Sequence, residues 1–251
     1  MTSIVGVLCK DGAVIGTDSS ATYGVGEARI MEQPTEKLHL LNDTVIIAGT
    51  GEIGLCQRFC AVVQKAIADN EVRSKSGGEI AKTFTKKALE DLAETYAKLG
   101  KFGALVAYPS GVKPYLCQFS LADFQPELMD ERLWYGSMGS AQHITDPFLA
   151  LIRSIFWTDG LPSVHEAIFA VTWALDHAVE INPGGVNGPV RIAVLEKNKK
   201  GNLQARKLDD DELGEHREYI SEAKNLLRGM REKLSLASTA ASRDIPRPQS
   251  T

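Results

Sequence analysis

The sequence has little cysteine, no long hydrophobic run and no block of basic charge. Four cysteines in 251 residues (Cys9, Cys56, Cys60 and Cys117) are too few for a disulfide scaffold. Cys56 and Cys60 stand four apart, which a helix would place on one face. No matching Cys/His pair lies near them in sequence, so they read as small buried hydrophobes rather than as a metal pair. No apolar run approaches the length of a spanning helix, and no membrane association is expected. A formal charge of −4 without a Lys/Arg cluster leaves no electrostatic footprint for nucleic acid. The opening MTSIVGVLCKDG has no basic segment before an apolar stretch, hence no secretory signal, and implies a cytoplasmic protein. His39, His143, His165, His177 and His216 are scattered, and neither a metal site nor a cofactor is expected.

What is present is a patterned chain with no internal repeat. Ile4–Cys9 and Ala13–Thr17, joined through Asp11-Gly12, predict a β-hairpin. Lys37–Leu41 and Val45–Gly49, joined by Asn42-Asp43, predict a second. Apolar positions from Ile53 to Ile67 follow the helical period, and another helical stripe runs from near Gly78 to Gly100. Strands are expected at Phe102–Tyr108, Lys113–Phe119 and Glu131–Tyr135. Two more helices follow, over 140–157 and from Ser163, where Ser163 and Glu166 form a capping box. Strands close the core at 190–195 and 203–208.

Strands and helix pairs thus come in blocks rather than strict alternation. That pattern argues for an α+β fold, a four-layer α-β-β-α sandwich of two antiparallel sheets flanked by helix pairs. The expected organisation is one domain over 1–208, a helical extension over 209–234 with an acidic start suited to a helix N-terminus, and a disordered tail over 235–251.

The opening TSIVGVLCKDGAVIGTDSSATYG resembles the start of mature proteasome β-subunits: a free Thr, a hydrophobic strand, Asp-Gly, then Gly-x-Asp-Ser. Thr35-Glu36-Lys37-Leu38, Ala48-Gly49-Thr50-Gly51, Gly139-Ser140 and Pro183-Gly184-Gly185 follow in that family's order, across about residues 2–196. The resemblance implies an N-terminal nucleophile hydrolase. A threonine hydroxyl is a poor nucleophile without a base. At an N-terminus its own α-amine, with a reference pKa of roughly 7.7–8, can serve. Thr2 is therefore the expected nucleophile once Met1 is removed. A start at Met-Thr resembles the bacterial proteasome homologues that lack a propeptide.

By the same resemblance Lys37 lowers the pKa of the Thr2 site, and Asp18 pairs with and orients Lys37. The backbone N–H of Gly51 faces the developing oxyanion. Ser140 stands near the nucleophile's amine, with Ser137 as the competing register. Glu180 is the carboxylate at the matching distance near the end of the fourth helix, with Asp176 as the alternative. The chain departs from the family at Ser20, where an arginine is common, at Pro183, where a serine is usual, and in a longer loop over Tyr23–Pro34. Gly49, at the side of the substrate pocket, implies a roomy pocket.

The expected function is that of a self-compartmentalising threonine peptidase cleaving peptides or unfolded proteins. Its expected assembly is a homo-oligomeric double ring of six or seven subunits per ring, served by an ATP-dependent unfoldase. Two alternatives share the fold: a non-proteolytic amidase acting on a small amide, and a catalytically silent ring protein.

Overall fold

A computed structural model describes residues 2–25, 28–181 and 185–241. The chain forms mixed α/β structure from two five-stranded antiparallel sheets, a two-stranded hairpin and five helices among the described residues. The first sheet is built on β1 (Ser3–Leu8) and β2 (Gly12–Thr17), joined at Asp11-Gly12. It is completed by β10 (Tyr135–Gly139), β11 (Arg191–Lys197) and β12 (Leu203–Lys207), in the order β10-β1-β2-β11-β12. The second runs β5-β6-β7-β8-β9: Leu38–Leu41, Val45–Gly51, Phe102–Ser110, Lys113–Phe119 and Pro126–Leu128. Asn42 and Asp43, at the centre of the turn that Thr44 N–H closes by donating to Leu41 O, both have positive φ, the turn conformation that matches strand twist.

Both faces of the second sheet are buried. Leu38, Ile46, Ala48, Leu105, Ala107 and Leu116 meet the first sheet in one core. Ile47, Ala104, Val106 and Cys117, at the alternating positions, pack against helices α1 (Ile53–Ala68) and α2 (Gly77–Glu94) in another. The sheets approach closely: a Cβ on Gly6 would lie 2.2 Å from Leu105 Cδ2. Helices α3 (Gln142–Phe156) and α4 (Val164–Ile181) pack with the first sheet. Four phenylalanines (Phe59, Phe102, Phe119, Phe124), with ring centroids 5.0–5.7 Å apart, fasten α1 to the second sheet. Such ring pairs add about 0.5–1.5 kcal/mol each beyond area burial. They fix the helix whose first turn borders the candidate site.

Several elements differ from the sequence-based expectation. The stretch 23–34 is largely a hairpin, β3 (Ser20–Val25) with β4 (Ala28–Pro34), rather than a loop. Helix α2 stops at Glu94, short of Gly100. Ala97 N–H donates to Leu92 O and Tyr96 N–H to Ala93 O, a Schellman closure with Tyr96 at positive φ. Tyr96 consequently leaves the apolar stripe and is exposed. The strand expected at 131–135 lies later, at β10, because Asp130 accepts hydrogen bonds from the Arg132 and Leu133 amides and turns the chain there.

The last helix, α5, spans Asp210–Ala241 and overruns the expected end at 234. No proline or glycine interrupts 235–241, and the first breaker is Pro246. Residues 242–251 of the expected tail, and Asn182, Pro183 and Gly184, lie outside the described residues. No described helix is long and apolar enough to cross a membrane.

Candidate active site

Thr2 enters the first sheet ahead of Ser3, which pairs with Gly139 across β1 and β10. Gly139 has φ of 95°, and a Cβ there would lie 2.2 Å from Thr2 O. Only glycine lets the two backbones approach this way. The turn that follows delivers Ser140. Its Oγ accepts from Thr2 N at 3.2 Å and donates to Thr2 O at 3.3 Å. Ser137, the competing register, points elsewhere. Its hydroxyl donates to Asp146 Oδ1 at 2.6 Å and accepts from Thr145 at 2.7 Å, all one turn into α3. Asp146 and Thr145 were not singled out in the sequence. Their signal would have been position: both lie in the first turns of the helix that Ser140 precedes.

Asp18 follows β2 and has no exposed surface. Its carboxylate accepts from Ser3 N at 2.8 Å, from Ser20 N at 3.2 Å, and from Lys37 Nζ at 2.7 and 2.9 Å. The carboxylate therefore ties the strand carrying Thr2 to the lysine. Burial holds the Lys37 pKa below the usual lysine value, and Asp18 opposes that shift without cancelling it.

Thr2, Lys37 and Gly51 line one cleft of about 310 Å³ between the two sheets' edges and the start of α1. Gly51 has φ of 104°, and a Cβ there would lie 2.1 Å from Lys101 O. The close-packed backbone at this corner therefore requires glycine. The Glu52 N–H donates to Lys101 O, and α1 begins at Ile53 without a side-chain cap. An uncapped helix N-terminus beside a cleft carries positive potential suited to developing negative charge.

Glu180 stands apart from this group. It is two-thirds exposed, with Lys224 of α5 as its ion-pair partner at 3.7 Å. Asp176 is held by Arg217 of α5 at 3.0 and 3.2 Å. Both carboxylates face outward along α4 toward α5, so neither is retained as a site residue. Their spacing from the N-terminus matched, but α5 supplies them with cations.

The structure also assembles a group that the sequence keeps apart. Lys37 and His39 share a face of the β5 edge, opposite Leu38, by the period of two. Cys56 and Cys60 share a face of α1. The ligand-capable atoms of His39, Cys56 and Cys60 all lie within 4.8 Å of one another. Hydrogen bonding from Cys60 lowers the Cys56 thiol against the opposing effect of burial, with His39 adding to the lowering. The Cys60 thiol is pushed up by its bond to Cys56 and by burial. A Cβ on Gly49 would lie 2.5 Å from Cys56 Sγ. Gly49 therefore accommodates the thiol rather than leaving the roomy pocket expected there. Cys56 and Cys60 do pack with the helix-side core, as small apolar residues would, and the fold adds His39, which is distant from them in sequence.

The sequence profile of the family described as "Proteasome subunit" matches residues 1–145. A "Proteasome subunit beta" of Methanococcus maripaludis (strain C5 / ATCC BAA-1333) is 30% identical over 73 residues, covering 29% of this chain and 32% of that relative. Among solved structures, an Anbu (Gly-1) mutant from Hyphomicrobium sp. strain MC1 superposes with a TM-score of 0.70 at 13% identity, over 94% of this chain and 100% of that one. Anbu (ancestral beta-subunit) from Yersinia bercovieri gives 0.66 at 14% identity, over 99% and 100%. At such identities the structural likeness speaks to the fold alone, which this chain shares with the two Anbu proteins. With the family's sequence profile matched over more than half of its length, the chain belongs to the proteasome subunit family.

Proposed function

We propose that this protein is a threonine-type peptidase whose nucleophile is the Thr2 hydroxyl, released for catalysis when Met1 is removed. The observation that carries this reading is the convergence of Thr2, the Lys37–Asp18 pair and Gly51 on one cleft, with Ser140 on the Thr2 nitrogen. The free α-amine would take the hydroxyl proton as Oγ1 attacks a peptide carbonyl. The Gly51 backbone N–H, at the mouth of α1, would stabilise the oxyanion. The same amine, now protonated, would hand its proton to the leaving amine, and then activate water to hydrolyse the Thr2 ester. Lys37 is the fixed positive charge that favours the deprotonated nucleophile, and Ser140 orients the amine.

The packing of α1 and α2 on one sheet and of α3 and α4 on the other supports a four-layer α-β-β-α arrangement. Proteasome-like families form oligomeric rings. A homo-oligomeric double ring in the cytoplasm, with six or seven subunits per ring, fits this reading. An ATP-dependent unfoldase would then deliver unfolded substrate. Leu226, Leu227, Met230 and Leu234 on α5 leave exposed apolar surface that such an assembly can bury.

Intact mass spectrometry with a peptide epoxyketone tests the mechanism, because that warhead reacts with both a free amine and the threonine hydroxyl. Loss of Met1 and one adduct per chain are expected. A chain that has lost Met1 yet gains no adduct would overturn the mechanism. Lys37→Ala is expected to abolish the adduct while the assembly persists on light scattering.

A further inference from the structure

We propose that His39, Cys56 and Cys60 form a binding site for zinc(II) in the wall of the Thr2 cleft, with the ion's fourth coordination position open to that cleft. The residue types are those zinc selects: two thiolates and an imidazole. The scaffold is rigid, since the cysteines sit one turn apart on a helix fastened by the phenylalanine cluster, and the histidine on a sheet strand. A tetrahedral ion with the usual bond lengths needs its sulfur ligands about 3.8 Å apart. The three ligand atoms already lie within 4.8 Å of one another, so rotamer adjustment alone closes the site. His39 and Cys60 are only partly buried, which leaves the ion a way in. Three protein ligands with one vacant direction is the pattern of an exchangeable or reactive zinc rather than a closed structural one.

Binding balances as one zinc(II) added, with both sulfurs bound as thiolates and any thiol proton still held released to solvent. No oxidant or reductant is needed. His39, Cys56 and Gly49 line the same cleft as Thr2 and Lys37. An ion seated on His39 and Cys56 therefore occupies space beside Gly49 that a substrate side chain would use. Zinc then acts as a brake on the cleft, a consequence that rests on the peptidase reading above, whereas the binding itself does not.

The test uses the full-length protein under a thiol-free phosphine reductant. Zinc is titrated by calorimetry, and cobalt(II) is used as a spectroscopic substitute. One ion per chain with sub-micromolar affinity is expected, together with thiolate-to-cobalt charge transfer. Cys60→Ser and His39→Gln, both at partly exposed positions, should each weaken zinc by about 100-fold or more, beyond the loss of an outer-sphere partner. Thr2→Ala should bind zinc as the wild type does, so failure of the peptidase reading leaves this result standing. Zinc should slow epoxyketone labelling of the wild type and leave Cys60→Ser labelling unaffected. Absence of charge transfer, or equal zinc affinity in wild type, Cys60→Ser and His39→Gln, overturns the site. Stoichiometric binding with unchanged labelling overturns its opening toward the cleft.

Discussion

Lys37 Nζ lies 2.7 and 2.9 Å from the two oxygens of Asp18, a carboxylate wholly removed from solvent and bonded also to the amides of Ser3 and Ser20. A buried ion pair is weak evidence of stability in itself, because desolvating two charges offsets most of their attraction. Removing one partner is another matter. Asp18→Asn removes the carboxylate charge that faces Lys37 and should cost about 3–5 kcal/mol of unfolding free energy, read as a lower denaturation midpoint in urea. The double variant Asp18→Asn/Lys37→Met should recover much of that stability. Epoxyketone labelling should stay absent in both. Labelling that returns along with stability would reduce the pair to a structural role.

Ser140 and Ser137 separate geometry from sequence register. Ser140 bonds to Thr2 through both its donor and its acceptor, whereas Ser137 serves Asp146 and Thr145. Ser140→Ala should leave stability within about 1 kcal/mol, the scale of one partly exposed hydrogen bond, and slow labelling by roughly 10²-fold or more. Its pH–rate profile should shift, because the Thr2 amine loses an acceptor. Ser137→Ala should instead lower stability by about 1–3 kcal/mol, through the unpaired polar groups it leaves behind. Equal labelling rates in Ser140→Ala and the wild type would remove Ser140 from the machinery.

Much of this fold is legible in the sequence wherever a local rule governs. The β1–β2 and β5–β6 hairpins follow from short apolar runs joined by turn residues, and α4 starts after Ser163 because Glu166 returns the capping bond. The same rule marks α2, where Ser76 and Glu79 form a capping box just ahead of the expected start. Thr2, Asp18 and Lys37 are singled out by the resemblance to proteasome β-subunits rather than by a local rule; the fold sets Thr2 and Lys37 on one cleft and bonds Asp18 to Ser3 and Lys37. Glu180 stands apart from the cleft for a tertiary reason, since its exposed carboxylate pairs with Lys224 of α5. The hairpin over 20–34 escapes a periodicity argument because its small and charged residues do not alternate cleanly. His39 meets Cys56 and Cys60 only when α1 docks on β5, a contact that no pattern within either segment encodes.

Gly51 and Gly54 stand three residues apart and should respond in opposite ways to alanine. At Gly51 a Cβ would approach Lys101 O to 2.1 Å at a φ of 104°. Gly51→Ala must therefore displace backbone at the cleft corner, costing on the order of 1–3 kcal/mol from the conformation alone and more from the collision, with loss of labelling. At Gly54, in the first turn of α1, a Cβ meets nothing within 4 Å. Gly54→Ala should be neutral or stabilise by about 0.4–1 kcal/mol, because alanine restricts the unfolded chain. Thermal midpoints of the two variants, measured side by side with labelling rates, decide this. Equal midpoints would show that the corner at Gly51 has room to relax.

His216 gives stability a pH dependence far from the cleft. It is buried where α5 meets α4, its Nδ1 has no hydrogen-bond partner, and its ring lies 4.7 Å from that of His165. Burial and the neighbouring His165 lower its pKa to about 4, with Glu212 opposing the shift. In the unfolded chain the imidazole returns to an ordinary value of about 6.5. Between these values the unfolded state binds the proton and the folded state does not, so stability is full above about pH 6.5 and falls as pH drops. The loss should be complete near pH 4 and amount to a few kcal/mol at most. Urea midpoints of the wild type and His216→Phe, followed from pH 7 to pH 4, are the measurement. The phenylalanine variant should lose less stability across that window, since its ring cannot take up a proton in either state. Parallel curves for the two proteins would assign the acid sensitivity to other groups.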